Sequence, residues 1–458
     1  MVDAPQEITP KNANELLKIK EEMQETTFIK GFKLTNAYEN ILVFYQKNPF
    51  FYKNGNFWFW NNEEKRWEIK DEICLINELE TLFEREGVIF TSRIKYQYVD
   101  CFKAIGTKKI PKEPPVEWIQ FKDKVFDLKN QTIFEATPEY FFINPISWRL
   151  GESEETPTID KLFKEWVGES KEEILYEIIA YCCYRSYPMH FAFVLDGSGR
   201  NGKTQFQVLL RKFLGANNVC SSDFDTLIES RFESAKLYKK LVCCIGETNF
   251  GIISKTSLFK RLTGGDLVNF EYKNKAPFDD FSYAKLIINT NSMPSSEDTS
   301  EGFYRRFMIV PFLNEFEEGK NIIEKIPEIE YENMAKKILK VIKKIIETGK
   351  ITSQGSIEER KLAYLKASNP LSIFLEAHCI RDIEFEVTYA RLYGAYCNYL
   401  LKKKKRIVTR KEFKSALELE GIFLEKIHFK NPRGEFYLQW GFRGLKFKDA
   451  FIDDLTLL

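Results

Sequence analysis

The sequence predicts an α/β protein with a parallel sheet at its centre, an α+β region before the sheet and a basic region of helices and a hairpin after it. Short apolar runs alternate with polar and helical stretches between residues 190 and 312, as in a parallel sheet. Aromatic residues around Asn54-Gly55 are typical of a hairpin. Beyond Asn369, helical patterns are followed by a second hairpin pattern.

Length and composition indicate a globular chain of about three domains. The protein has 458 residues, of which 44% are hydrophobic and 29% are charged, so it can bury several cores. Its 68 Lys and Arg nearly cancel its 67 Asp and Glu. Any nucleic-acid surface must therefore come from local clustering of charge.

The chain has neither a membrane-spanning pattern nor a secretory leader. No run of 18 apolar residues occurs, and no charged-then-apolar segment follows Met1, so we expect a cytoplasmic protein without a membrane partner. The nine cysteines include the adjacent pairs Cys182-Cys183 and Cys243-Cys244 within apolar segments. They are predicted to be reduced core residues rather than zinc ligands or disulfides.

Two regions precede the central sheet. Residues 1–150 are predicted to form an α+β domain, with strands meeting at Asn54-Gly55 and further strands over 118–128 and 140–148. Residues 151–189 are predicted to form a helical collar or linker. Its second helix is expected to begin at a capping box, Ser170-Lys-Glu-Glu173.

A glycine-rich loop joins the apolar run 191–195 to a helical stretch that begins near residue 205. The loop has the pattern G-x-x-x-x-G-K-T. Its backbone N–H groups and the helix N-terminus suit phosphate oxygens, Lys203 reaches the outer phosphates, and the Thr204 hydroxyl ligates Mg²⁺. The predicted ATP-binding residues are Gly197, Ser198, Gly199, Arg200, Asn201, Gly202, Lys203 and Thr204.

Three further strand-associated positions suit phosphoryl chemistry. Glu247 follows the apolar strand 240–245 and suits polarising a water and supporting the metal, although many strands end in Glu for solubility. Asn291 follows another strand and suits the γ-phosphate, although Asn is also common in turns. Arg305 and Arg306 precede an apolar strand and suit transition-state charge on a neighbouring subunit's nucleotide, or a structural ion pair.

These residues in this order resemble the superfamily 3 helicases, in particular the phage, plasmid and poxvirus primase-helicase type. The discriminating segment is Leu262-Thr263-Gly264-Gly265-Asp266, which lies between the acidic strand and the Asn strand. The resemblance implies an AAA+ type P-loop ATPase over residues 190–350. It also implies ATP and Mg²⁺ as cofactors, a hexameric homo-oligomer, and DNA in a central channel.

The resemblance also implies individual roles. Lys203 and Thr204 match the phosphate-binding and Mg²⁺-binding residues, and Glu247 matches the catalytic acid, although many members carry paired acids where this chain has Gly246-Glu247. Asn291 matches the sensor amide. Arg306 matches the trans-acting arginine finger, with Arg305 as its competitor.

The segment after residue 260 matches the hairpin that meets DNA in the channel. Gly264-Gly265 suits a tight turn, and Tyr272-Lys-Asn-Lys275 supplies cations for phosphate and a ring for base stacking. A solvated loop is the alternative. The DNA-contact candidates here are Lys260, Lys273 and Lys275.

Residues 370–458 are predicted to form a basic winged-helix-like domain that binds DNA. Residues 401–450 include fourteen Lys or Arg but only six Asp or Glu. A capping box at Thr409 opens a helix, and two strands follow, a pattern typical of a helix in a major groove with a wing on the backbone. A charged solvated face is the alternative. The DNA-contact candidates are Lys402, Lys403, Lys404, Arg410, Lys411 and Arg433.

Together these features predict a replicative DNA helicase of a virus or mobile element that hydrolyses ATP at subunit interfaces and moves on single-stranded DNA. A DNA-remodelling ATPase of the same fold and an origin-binding initiator are the alternatives. No His precedes His190, so residues 1–150 show no acid-and-His primase constellation. A separate primase is therefore a candidate partner, in the host cytoplasm.

Overall fold

The structure is a computed structural model that describes residues 36–85, 89–197, 200–246, 252–253, 255–290, 293, 295–296, 298–316, 322–402, 407–430 and 434–448. It is a mixed α/β protein with a parallel sheet, as the sequence predicts. Among the described residues, no helix combines the length and apolarity that crossing a membrane requires.

The N-terminal region contains two small antiparallel sheets and three helices. Its elements are α1 (Ala37–Lys47), β1 (Phe50–Lys53), β2 (Asn56–Asn61), β3 (Arg66–Lys70), α2 (Glu72–Arg85), α3 (Ser92–Gly106), β4 (Trp118–Gln120), β5 (Val125–Asp127) and β6 (Thr132–Phe134). The hairpin at Asn54-Gly55 is confirmed, since both residues have positive φ (53° and 71°) and the flanking strands pair. The strand expected over 140–148 is wrong: Tyr140 and Ile146 make only isolated bridges, to Lys112 and Phe121.

Two helices connect this region to the central sheet: α4 (Pro157–Val167) and α5 (Glu172–Cys183). The capping box predicted at Ser170 is wrong. Lys171 is the N-cap residue of α5, and its side chain makes no capping hydrogen bond. The helix is instead held by packing, since all of its residues from Ile174 to Cys183 are buried.

The central sheet has five parallel strands. Its elements are β7 (Ala192–Asp196), α6 (Lys203–Leu214), β8 (Val219–Ser222), α7 (Phe224–Glu229), β9 (Val242–Ile245), β13 (Lys285–Thr290), α9 (Glu301–Tyr304) and β15 (Phe307–Pro311). The spatial order is β15-β7-β13-β9-β8, so β7 lies between β15 and β13. All strands point the same way, which brings their carboxyl ends to one edge of the sheet.

Alternate residues of β7 face two different cores. Phe193 and Leu195 lie in the core that includes α4, α5 and α6, whereas Ala192 and Val194 lie in a second core. The second core also contains aromatic residues of the N-terminal sheet, such as Trp58 and Phe141. The N-terminal region therefore packs directly on one face of the central sheet.

A hairpin and two short strands project from the connection between β9 and β13. The elements are β10 (Ile252–Ile253), α8 (Ser257–Gly264), β11 (Leu267–Phe270), β12 (Phe278–Phe281) and β14 (Ser295–Ser296). The hairpin is present, but the turn expected at Gly264-Gly265 is wrong. Gly265 has φ +72° and ends α8 as its C-cap, and the chain reverses between Phe270 and Phe278 instead.

The C-terminal part begins with two helices that pack near the sheet, α10 (Glu328–Thr348) and α11 (Ile357–Ala367), and continues into a region with its own core. That region contains α12 (Pro370–His378), β16 (Cys379–Thr388), α13 (Tyr389–Lys402), α14 (Arg410–Leu419), β17 (Glu425–Lys430) and β18 (Phe436–Phe447). Its three strands form an antiparallel sheet in the order β16-β18-β17. The capping box at Thr409 is confirmed, with Glu412 as its partner.

Candidate nucleotide site

The glycine-rich loop leaves the carboxyl end of β7 at a point where the strand order reverses. β8, β9 and β13 follow β7 on one side, and β15 returns to its other side. Asp196 lies opposite both Thr290 of β13 and Pro311 of β15. Ligands of open α/β sheets bind in the crevice at such a switch point.

Two side chains of the loop, Lys203 and Asn201, are hydrogen-bonded to each other. Lys203 is 4% exposed, and its ammonium donates hydrogen bonds to the Gly197 carbonyl (2.6 Å) and to Asn201 Oδ1 (2.9 Å). Asn201 is also buried and donates from Nδ2 to the Phe312 carbonyl (3.4 Å), just beyond β15. The ammonium is thus fixed inside the loop at the N-terminus of α6.

Gly202 has no room for a side chain. It is the N-cap of α6 with φ +92°, and an added Cβ would lie 2.5 Å from Trp166 Cδ1. Trp166 is the buried last-turn residue of α4 and also accepts a backbone hydrogen bond from Leu313. The sequence gives no local sign of this contact, because Trp166 is one of several apolar residues at helical spacing between 159 and 167.

We expect Gly202→Ala to destabilise the protein and to weaken nucleotide binding. The left-handed backbone alone costs about 1–3 kcal/mol for a non-glycine residue, and the overlap with Trp166 adds to it. Urea unfolding and titration with a fluorescent ATP analogue measure the two effects. Gly394→Ala is the matched control, because a Cβ at that helical position meets no atom within 4 Å. Equal unfolding midpoints for the two variants would contradict this account.

The donor set fits a nucleoside triphosphate with its metal. An ammonium, loop N–H groups and a helix N-terminus suit phosphate oxygens, and the exposed Thr204 in the first turn of α6 offers a hydroxyl to Mg²⁺. Burial raises the pKa of the Asp196 carboxyl, although Lys203 opposes the shift. The negative charge of Glu376 on α12 raises this pKa too.

The side-chain oxygen of one buried amide beside the loop has no hydrogen-bond donor among the residues that the structure describes. Asn289 of β13 is 3% exposed, and its Oδ1 makes no hydrogen bond to any part of the chain that the structure describes. It pairs in register with Leu195, one residue before the end of β7. A buried acceptor without a donor costs free energy, so Asn289 is a polar group available to this edge of the sheet.

The structure places Arg305 and Arg306 differently. Arg306 is 7% exposed and donates to Thr263 Oγ1 (2.9 Å), the Lys260 carbonyl (3.2 Å) and the Gly302 carbonyl. Arg305 is exposed. Both precede β15, and therefore lie at the amino edge of the sheet, opposite the glycine-rich loop.

The cations assigned to the hairpin are mostly engaged within the chain. Lys260 lies on α8 and forms an ion pair with Asp298 (2.5 Å). Lys275 donates to the Gly55 carbonyl (3.0 Å) and Asn56 Oδ1 (2.7 Å) of the N-terminal hairpin. Tyr272 stacks on Phe278. Lys273 is exposed at the turn.

The candidates in the C-terminal region lie on two helices. Lys402 is the exposed last residue of α13, and Arg410 and Lys411 are exposed at the start of α14. Arg410 lies 6.0 Å from the Tyr393 ring centroid. The remaining candidates lie outside the described residues: Ser198, Gly199, Glu247, Asn291, Lys403, Lys404 and Arg433. The strands that precede Glu247 and Asn291 do end at the same edge as β7.

Comparisons with known proteins point towards helicases. Residues 195–306 match a family of unknown function, DUF5906, over the glycine-rich loop, the acidic strand and the two arginines. A 213-residue stretch, 43% of the chain, is 25% identical to a protein named "Putative helicase" of Acanthamoeba polyphaga mimivirus. The match spans 22% of that viral protein.

Solved structures of the C-terminal region of NrS-1 are similar at low sequence identity. One apo form is 16% identical, with a TM-score of 0.48 and coverage of 85% of this chain and 87% of that one. A second has a TM-score of 0.44 at 16% identity and covers 90% and 98%. In sequence, this chain is thus related to part of a viral protein that carries a helicase name.

Proposed function

We propose that the protein is an ATP-dependent DNA helicase of a virus or mobile element, with an AAA+ type P-loop core of the superfamily 3 kind. The observation that carries the proposal is the glycine-rich loop itself. Lys203 is buried and aimed into a loop at the carboxyl end of a central parallel strand, immediately before a helix N-terminus. The partial likeness to a viral protein named as a helicase supports the same class.

The roles of the site residues follow from their chemistry. Lys203 and the loop N–H groups bind the β- and γ-phosphates, and Thr204 holds Mg²⁺, which would neutralise charge developing on the phosphates. Glu247 orients the attacking water. Asn291, which follows β13 in the sequence, contacts the γ-phosphate, and Asn289 is a buried residue of β13 close to that end of the strand. Because metal is required for this charge neutralisation, chelation of Mg²⁺ abolishes hydrolysis.

The position of the arginines supports an oligomer. β15 runs from Phe307, opposite Ala192, to Pro311, opposite Asp196. Those four steps span about 13 Å, and Arg305 lies still further from the loop. An arginine side chain does not reach that far, so the finger role proposed for Arg305 requires a nucleotide held by another subunit. Because Arg305 is exposed and Arg306 is buried, Arg305 is the better candidate for the arginine finger.

The C-terminal region would bring the enzyme to DNA. A helix opened by the Thr409 capping box, with exposed Arg410 and Lys411, precedes a hairpin, as in a winged helix. In the ATPase domain, exposed Lys273 is the DNA contact that its hairpin offers, whereas Lys275 stabilises the contact with the N-terminal region.

A forked DNA with one fluorescent strand tests the proposal. We expect ATP hydrolysis to rise when single-stranded DNA is added, and the labelled strand to be released with ATP but not with a non-hydrolysable analogue. Stimulated hydrolysis without strand release would favour a DNA-remodelling ATPase of the same fold. An absence of phosphate release, with or without DNA, would overturn the proposal.

A further inference from the structure

The hairpin of β17 and β18 extends beyond the rest of its sheet. β16 pairs with residues 441–447 of β18, whereas β17 pairs with residues 436–441. The segment Phe436–Trp440 is therefore hydrogen-bonded on one side only, among the residues that the structure describes. This two-stranded part is called the arm below.

One face of the arm is a ladder of cations and apolar side chains. Directly opposite residues of an antiparallel pair lie on the same face, and every second pair repeats that face. The three pairs of this face are Lys426–Trp440, His428–Leu438 and Lys430–Phe436, called the ladder below. All six residues are exposed.

The rings of the ladder are held at the surface with cations over them. Trp440 is 50% exposed, and the Lys426 ammonium lies 5.5 Å from its ring centroid. Phe436 is 69% exposed, with the Lys430 ammonium 5.8 Å from its centroid. The six ladder residues include no carboxylate, so the face is cationic as well as aromatic.

We propose that the ladder binds single-stranded DNA, with bases stacked on Trp440 and Phe436 and phosphates beside Lys426 and Lys430. A single strand alternates flat apolar bases with anions, which is the complement of this face. Flat rings and cations in one groove are the usual means of binding single strands without sequence preference. Trp440 and Phe436 are four residues apart, about 13 Å along the arm, so the two rings can take bases of an extended strand that have one nucleotide between them.

The chemistry distinguishes a single strand from a duplex. In a duplex the bases stack on each other and expose only their edges, so the Trp440 and Phe436 rings would gain no stacking partner. The proposal extends the DNA-binding part of the proposed function to a surface separate from Arg410 and Lys411. It does not require ATP hydrolysis.

The test uses the full chain, without nucleotide, and the anisotropy of a fluorescein-labelled oligothymidylate. We expect Trp440→Ala to weaken binding about tenfold, since it removes one stacking ring. Binding of a duplex of the same length should not change. Lys426→Ala should weaken binding of the single strand and lower its dependence on salt by about one ion.

Tyr437→Ala is the matched control. Tyr437 is on the same strand, is 43% exposed and lies on the opposite face, so its loss should leave the affinity unchanged. Trp440→Phe should keep most of the affinity, because it keeps a ring. Thermal unfolding checks that the variants fold, and hydrolysis of ATP without DNA should match the parent protein.

Three results would overturn the ladder proposal. They are unchanged oligothymidylate binding by Trp440→Ala, an equal loss in Tyr437→Ala, or an equal loss of duplex binding. Loss of binding to anionic phosphatidylserine vesicles in Trp440→Ala, with oligothymidylate binding intact, would assign the face to a membrane instead. Failure of ATP hydrolysis would overturn the proposed helicase but not this binding, so the two failures are separable.

Discussion

Replacing Lys203 by alanine is expected to reduce ATP hydrolysis about a hundredfold to a thousandfold, as the loss of one preorganised charge donor does at other phosphate and oxyanion sites. The ammonium is buried and hydrogen-bonded to Gly197 and Asn201, which fixes its position at the N-terminus of α6. Phosphate release at saturating ATP measures the effect. The proposed contact of Lys203 with the phosphates is also present in the ground state, so binding of the nucleotide should weaken too.

Arg211→Ala is the control for this loss. Arg211 is an exposed cation in the last turn of the same helix, α6, so its removal changes the net charge equally without touching the loop. We expect its hydrolysis rate to stay within about twofold of the parent protein, as for most exposed side chains distant from a site. An active Lys203→Ala protein would show that the loop does not hold the nucleotide. Urea unfolding shows whether a loss of ATP hydrolysis is caused by unfolding of the variant.

The parts of the fold that follow local rules could be predicted from the sequence. Asn54-Gly55 reverses the chain because both residues tolerate positive φ, and Thr409 with Glu412 opens α14 because both side chains satisfy backbone N–H groups. The strand before the loop and the helix after it also obey local patterns of apolar residues.

Other features depend on contacts between distant segments and leave no local pattern. Trp166 reads as one more apolar residue of α4, yet its indole ring fixes the backbone of Gly202. Lys275 reads as a cation for DNA, yet the N-terminal hairpin supplies a carbonyl to it. Strand β16 was not predicted, although Ile383-Glu-Phe-Glu-Val387 alternates apolar and polar residues and is a signal that could have found it.

The two arginines show how burial changes a role that was assigned from the position of a residue next to a strand. Arg306 directly precedes the apolar strand, which favoured it as the finger. Its side chain instead turns inward and binds Thr263 and two carbonyls, as a structural group does. Arg305, one residue earlier, is exposed, so burial favours Arg305 over Arg306 as the candidate finger.

Arg305→Ala is expected to lower ATP hydrolysis about a thousandfold or more, the usual contribution of an arginine finger. If the finger acts on a neighbour's nucleotide, mixing inactive Arg305→Ala with inactive Lys203→Ala subunits should restore activity. In a random equal mixture, about a quarter of head-to-tail interfaces join an intact loop to an intact finger, whatever the size of the ring. We therefore expect about a quarter of the parent rate. An enzyme whose finger acts within one subunit would recover nothing at any ratio.

Arg306→Ala tests whether Arg306 has a structural role while Arg305 is the proposed arginine finger. Its removal leaves Thr263 and two carbonyls without their donor in a buried place, which should lower the free energy of unfolding by about 1–3 kcal/mol, whereas Arg305→Ala should leave it unchanged. Urea unfolding measures this difference. Subunits of Arg306→Ala that still fold should therefore retain hydrolysis in excess of Arg305→Ala. The opposite result would be a fully stable but inactive Arg306→Ala protein that restores activity when mixed with Lys203→Ala, together with an active Arg305→Ala protein. Arg306 would then be the finger. Its buried hydrogen bonds would have to open when subunits assemble.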